Sequence, residues 1–373
     1  MCSALVGGPY CENMAQRMHD ALDGRAPSAF YVPRAATDSI GAVGYVGQGG
    51  SERLKGFIDT KVDSYGEVRN ALRIARHGKH MIEREGECAR YGFGEATRLS
   101  IRFIVSNECM EALKEGLPEI GADLEAVLPV SKNNGSDSIV YIGFNSSVRS
   151  PNRQDRQSCS KNLESALELR GDYAELWRRL NEVRQAGHEV RVVRGEAVMN
   201  LESDTGIKIS SLTRLMGDTF GYSEDEAMRA MTDSDTILAV ATAFRGHEAI
   251  AMGMIESTSV GFNGGSIRLA ELTDCVVRED YRNGMSRGLF LSVTSSLLDH
   301  HVREGMNGYD VLFLEANLAK PVVLESFALQ GWNARGTLPN HARIEDGLKS
   351  LAVMDIGSEE LSRVSECVGL LRY

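Results

Sequence analysis

The chain has 373 residues, 42% hydrophobic and 25% charged, with a net charge of -11. At roughly 100–200 residues per domain this length predicts two domains. The acidic balance argues against holding nucleic acid or an anionic membrane through a global field, while leaving room for a local basic pocket.

Seven scattered cysteines (Cys2, Cys11, Cys88, Cys109, Cys159, Cys275 and Cys367) form no CxxC pair and no zinc-like spacing. Free thiols in a reducing cytoplasm are the expectation, with no metal. The opening "MCSALVGGPYCENMAQ" lacks a basic region and has only a short apolar run, which predicts no signal peptide. No stretch reaches the ~20 apolar residues of a membrane span.

In the first half, "CENMAQRMHDALDG" reads as a helix, and "AFYVP" and "GAVGYVG" as extended segments. "YGEVRNALRIARHGKHMIERE" reads as a long basic helix, "TRLSIRFIVS" as an alternating strand and "NECMEALKEGL" as a capped helix. The glycine corners "VGGPY" and "YVGQGGSERLKG" lack a full dinucleotide or P-loop spacing and read as turns. "IVYIGF" reads as a strand, and the Ser-, Asn- and Arg-rich 145–162 as a long surface loop. "YAELWRRLNEVRQAG" has a helical period through Leu176, Leu180 and Val183, and "HEVRVVRG" is strand-like. A domain boundary is expected near 190, giving an α/β domain of unassigned role over 1–190 and a second domain over 191–373.

The second half predicts two helices, "SSLTRLMGDTFG" and "SEDEAMRAMTD", the latter opened by a Ser223–Glu226 capping box. An antiparallel meander follows over "TILAVATAF", "EAIAMGMIEST" and "SIRLAELTDCVV". A helix over about 285–303 then presents Leu289, Phe290, Val293, Leu297 and Leu298 on one face; its His300 and His301 read as polar-face residues favoured by the helix dipole. "YDVLFLEAN" is a short apolar strand, "AKPVVLESFALQG" a helix with Pro321 early, and "GWNARGTL" and "LKSLAVMDI" the last strands.

Between the meander and the long helix lies "VVREDYRNGMSRGLF". The first turn of a helix has unpaired N–H groups and a partial positive charge, and a glycine before it lets backbone approach an anion. Arg282 and Arg287 can add charge-assisted bonds to phosphate oxygens. Along the preceding strand, alternation puts Glu271 and Thr273 on one face and Asp274 on the other.

This order of elements, with Val276–Val277, Tyr281–Arg282, Gly284, Ser286, Arg287 and Gly331–Trp332, is similar to the GNAT (GCN5-related N-acetyltransferase) superfamily over roughly 195–356. Glu271–Asp274 and the Gly-Thr-Leu-x-Asn of Gly336–Asn340 resemble β-lysine N-acetyltransferases. The resemblance implies an α/β (α+β) fold with a mixed sheet flanked by helices. It also implies acetyl-CoA as acyl donor and direct transfer to the amine of a small, amino-acid-like metabolite in a ternary complex. The implied cofactor contacts are Cys275, Val276, Val277, Arg282, Asn283, Gly284, Met285, Ser286, Arg287 and Asn317, with the strand over 273–277 splayed from its neighbour to offer backbone groups. Glu271, eleven residues before Arg282, is the implied base, with Asp274 second. Asn317 also suits a structural helix cap. A homodimer is a compatible assembly. Two departures stand out: the Arg282–Ser286 corner is one residue shorter than the family spacing, and Phe327 occupies the place of the usual acid, a tyrosine. A lapsed acyl-CoA-binding or scaffold module, and separate chemistry in the first half, remain open alternatives.

Overall fold

The computed structural model describes residues 43–48, 53–58, 61–84, 96–130, 136–149, 153–233, 236–243, 246–262, 265–282, 284–303, 309–344 and 347–371. The corner at 6–10, the helix expected over 11–24, the strand "AFYVP" and Asn283 lie outside these residues. The chain forms two compact units. The first comprises Met1–Gln157, Ser259–Arg268 and Arg335–Val353; the second comprises Ser158–Thr258, Leu269–Ala334 and Met354–Tyr373. The boundary expected near 190 therefore falls inside the second unit, because the helix over 173–185 packs there.

In the first unit, strands β1 (Val43–Gln48) and β2 (Arg53–Ile58) pair antiparallel. Helix α1 (Tyr65–Glu83) crosses to β3 (Arg98–Ser106), which runs parallel to β2. Helix α2 (Asn107–Ile120) leads to β4 (Asp123–Pro129) and β5 (Asp137–Asn145), and β5 pairs antiparallel with both β3 and β4. The Ser64 hydroxyl caps α1 by accepting from the Glu67 N–H, and the Glu67 carboxylate reaches back to accept from the Asp63 N–H. Val68, Ala71, Ile74, Ala75 and Met81 form its buried face, at the spacing a 3.6-residue period demands.

The Gly336–Asn340 motif lies in β11 (Asn333–Ile344) and has a packing explanation. A Cβ on Gly336 would come within 2.0 Å of the Glu125 carbonyl oxygen, so glycine lets β11 close on β4, with Gly336 opposite Ala126. The buried Arg98 is ion-paired to Glu125 and donates to the Pro339 carbonyl at 3.0 Å. The buried Arg149 donates to the carbonyls of Asn340 at 2.8 Å and His341 at 3.0 Å. Each of these cations stays buried because acceptors surround it.

In the second unit, β6 (His188–Arg194), β7 (Thr236–Ala243), β8 (Ala249–Phe262, up to Thr258), β9 (Gly265–Val277, from Leu269) and β10 (Val311–Asn317) lie side by side in reverse order, from β10 out to β6. β6, β7 and β8 are antiparallel neighbours, and β10 is parallel to β9. From Ala249 to Ile255 β8 is buried on both faces of the sheet, with alternate residues facing opposite layers. Met252 and Met254 join the core under α5 (Ile209–Phe220) and α6 (Glu224–Thr232), while Gly253 faces α7 (Ser286–Arg303). The expected Ser223–Glu226 capping box opens α6.

Three expectations are corrected. Residues 153–167 form helix α3 (Arg153–Leu167) rather than loop. Exposed Arg, Gln, Glu and Lys have good helix propensity, and no Gly or Pro interrupts them. His301 is buried and stacked on Tyr309, and burial lowers its pKa to about 4, so it is neutral and is no dipole-favoured cation. Alternation along β9 fails at Asp274, whose φ of 48° is left-handed.

Candidate active site

The ladder between β9 and β10 has three rungs: Val311 opposite Leu269, Leu312 opposite Ala270 and Phe313 opposite Glu271. Both strands continue past Glu271 without further pairing to each other, β9 to Val277 and β10 to Asn317. Beyond this last rung the two strands form a fork, with Glu271 at its closed end. Val276 and Val277 are buried, so their side chains are not available to a ligand.

The left-handed backbone at Asp274 re-aims its carboxylate. Tyr222, in the turn between α5 and α6, donates its hydroxyl to Asp274 Oδ2 at 3.4 Å. Burial, and then the charge of Glu271, push the Asp274 pKa up to about 6, although the tyrosine bond opposes this. Burial and the Asp274 charge in turn hold the Tyr222 hydroxyl protonated, with Glu256 adding to the effect. Cys275 turns the other way. Its sulfur sits where a Cβ on Gly253 would come within 2.9 Å, and burial raises its thiol well above the usual range.

Past β9, a 3-10 turn at Glu279–Tyr281 is braced by Arg278, which donates to Asp280 at 2.8 Å and lies over the Tyr281 ring. Arg282 donates to the Val277 carbonyl at 3.0 Å, tying the turn back to the strand. Gly284 has φ 81°, with open space where a Cβ would stand, so backbone conformation alone asks for glycine. Helix α7 then starts at Ser286 with no acidic residue in its first turn. The contrast with α1, whose first turn is filled by Glu67, is direct. Arg287 pairs with Glu325 at 3.0 Å through Nη1. Its Nε and Nη2 are buried and have no hydrogen-bond partner among the described residues. Two orphaned guanidinium donors at a helix N-terminus fit an anion such as a pyrophosphate.

Asn317 accepts from the Ala319 N–H at 2.9 Å, shaping the turn into α8 (Pro321–Leu329). Phe327 is buried edge-on against Phe290 and Trp332, which leaves no donor at that position. Gly331, at φ 91°, ends α8 in the space beside Tyr173 and Glu360. The structure thus gathers Glu271 and Asp274, and it aligns Gly284, Met285, Ser286 and Arg287 along one corner. Tyr222 was missed in the sequence because its partner lies 52 residues away. Among the described residues no His, Cys, Asp and Glu cluster suits a metal ion, and no helix is long and apolar enough to cross a membrane.

No family model matches the chain, and no curated protein matches it. Among solved structures, Arabidopsis thaliana NAA60 bound to a bisubstrate analogue is similar over 45% of this chain and 97% of its own. That match has 13% identity and a TM-score of 0.35. Vibrio cholerae spermidine N-acetyltransferase with CoA and spermine covers 47% of this chain and 98% of its own, at 12% identity and a TM-score of 0.32. A GCN5-related N-acetyltransferase from Kribbella flavida covers 41% and 35% respectively, at 17% identity and a TM-score of 0.28.

Proposed function

We propose that the chain is an acetyl-CoA-dependent N-acetyltransferase acting on a small amine. The observation that carries this reading is the junction of the β9–β10 fork with the acid-free start of α7, where Arg287 keeps two buried donors without a partner. In this reading the corner from Gly284 to Arg287 holds the pyrophosphate, and backbone of 273–277 lines the pantetheine arm. The donor supplies an activated acyl thioester.

Asp274 is the base. A carboxyl with a pKa of about 6 is ionised at neutral pH yet more basic than an ordinary carboxylate, which suits it to accept a proton from an ammonium group. Glu271 at the closed end of the fork keeps Asp274 basic through its charge. Tyr222 orients the Asp274 carboxylate and, still protonated, is the hydroxyl available where Phe327 supplies none. The Cys275 thiol stays protonated, and only a thiolate is a good nucleophile, so transfer is direct, with no acyl-cysteine. An acceptor with an amino-acid-like body fits the resemblance of Glu271–Asp274 to β-lysine acetyltransferases, as does a homodimeric assembly.

The test is release of free CoA from acetyl-CoA against a panel of small amines, with binding of acetyl-CoA measured alongside. Turnover on one class of amine, lost in Asp274→Asn with acetyl-CoA binding retained, is the expected result. Absence of acetyl-CoA binding overturns the reading. Binding without turnover on any amine points instead to a lapsed, cofactor-binding module.

A further inference from the structure

The second unit contains a cavity of about 500 Å3 away from the fork, between α4 (Tyr173–Gln185), β6, the C-terminal half of α7 and α9 (Ser358–Leu370). Part of its wall is aliphatic: Leu180 and Val183 from α4, Val190 and Val192 from β6, and Val368 and Leu371 from the C-terminal segment. Every ionisable side chain lining it is a base: Arg184, His188, His300 and Arg303. Ser292 and Ser296 add hydroxyls, and no carboxylate lines the space.

That lining is unusual in a chain of net charge -11. Arg303 already shares its charge with Asp299 through a 2.8 Å bond. Arg184 makes no ion pair among the described residues, and the buried Nδ1 of His188 has no hydrogen-bond partner among them. A pocket of this size that sets aliphatic side chains beside convergent polar groups can hold a small amphipathic molecule. The aliphatic side of the space suits an alkyl body, and the guanidinium fork of Arg184 on its polar side matches a carboxylate in two-point geometry. A cationic ligand would face bases alone, and a small hydrophilic anion would leave the aliphatic walls dry and unfilled.

We infer that this cavity binds a medium-chain carboxylate, its alkyl chain against α4 and β6 and its head group at Arg184 and His188. The inference does not depend on acetyl transfer, since none of the residues lining the cavity is among those proposed to hold acetyl-CoA.

Calorimetric titration of the full-length protein with octanoate, octylamine and 1-octanol tests it. Octanoate is expected to bind saturably, one molecule per chain, and octylamine not at all. Arg184→Glu, at an exposed position, is expected to weaken octanoate by about tenfold or more, the size of a lost charge-assisted bond. Ser296→Leu, which fills the space, is expected to abolish binding while leaving acetyl-CoA affinity unchanged. No saturable octanoate binding up to about 10 mM, where any useful affinity is measurable, overturns the inference. Equal binding of octylamine or octanol, or an unaltered Arg184→Glu, overturns it equally. If Ser296→Leu fails to fold, the Arg184→Glu comparison decides alone.

Discussion

Asp274 is held in a state that works against folding. Its pKa is about 6 in the folded chain, against 3.8 for an ordinary aspartate, so the folded state favours the protonated form. The associated stability is fully present below the unfolded value and is lost as pH rises through about 6. Asp274→Asn removes the ionisable group, and its melting temperature should exceed that of the parent at about pH 7.5, by an amount worth up to ~2 kcal/mol. The gap should close toward about pH 4; thermal melts across that range check it. The same variant should lose roughly 100-fold or more in turnover, and the parent's kcat/KM should fall on an acid limb near the Asp274 pKa. Arg287→Ala should raise the KM for acetyl-CoA about tenfold with little change in kcat, since its orphaned donors serve binding. A steady-state titration of acetyl-CoA measures this. At this scale the glycine and arginines of the corner are legible in the sequence, while Glu271 is singled out only by the family resemblance. The sequence could not expose the φ of Asp274 or the reach of Tyr222, because both depend on how separate elements pack.

Helix α7 works at both ends, and one residue fixes its position. A Cβ on Gly288 would come within 2.7 Å of Val183 Cγ2 on α4, so glycine lets the two helices touch. Gly288→Val should cost ~1–3 kcal/mol through overpacking, read as a lower denaturant midpoint with an unchanged slope. On the sheet side, Gly253 makes the matching gap under Val293 and Leu297. Elements with a strong period or a cap, such as α1, α6 and the β7–β9 meander, are legible in the sequence. Helix α3 is not, because Ser and Asn favour turns statistically while the exposed helix needs only the absence of breakers. Helix α9 was not read either; its buried face is reduced to Val364 and Cys367, too sparse for a clear period.

The two units share a succession of elements. A hairpin, a crossing helix, a parallel strand and a further helix occur as β1, β2, α1, β3 and α2 in the first. They recur as β8, β9, α7, β10 and α8 in the second, apart from the β8–β9 turn over 259–268, which falls in the first. No sequence repeat advertises this, since a core asks for apolar pattern rather than particular residues. The start of the crossing helix differs between them, self-capped by Ser64 and Glu67 in one and acid-free in the other. This contrast leads us to propose the anion site for the second unit alone. The units are also not consecutive in sequence. A fragment of 191–373 loses α4 from against Gly288 and strips Gly336 in β11 of Ala126, its partner in β4. It should show no cooperative thermal transition by circular dichroism.

The chain has two tryptophans, and both belong to the second unit. Trp332 is fully buried beside Phe327, while Trp177 is 40% exposed on α4. Intrinsic tryptophan emission is therefore a natural label on one half of the molecule, with a shielded fluorophore and a water-facing one in the same spectrum. Unfolding followed by emission reports the second unit alone, and far-UV circular dichroism reports both. Superimposed curves from the two signals mean that the interleaved units melt as one body, and separated curves give the order in which they come apart.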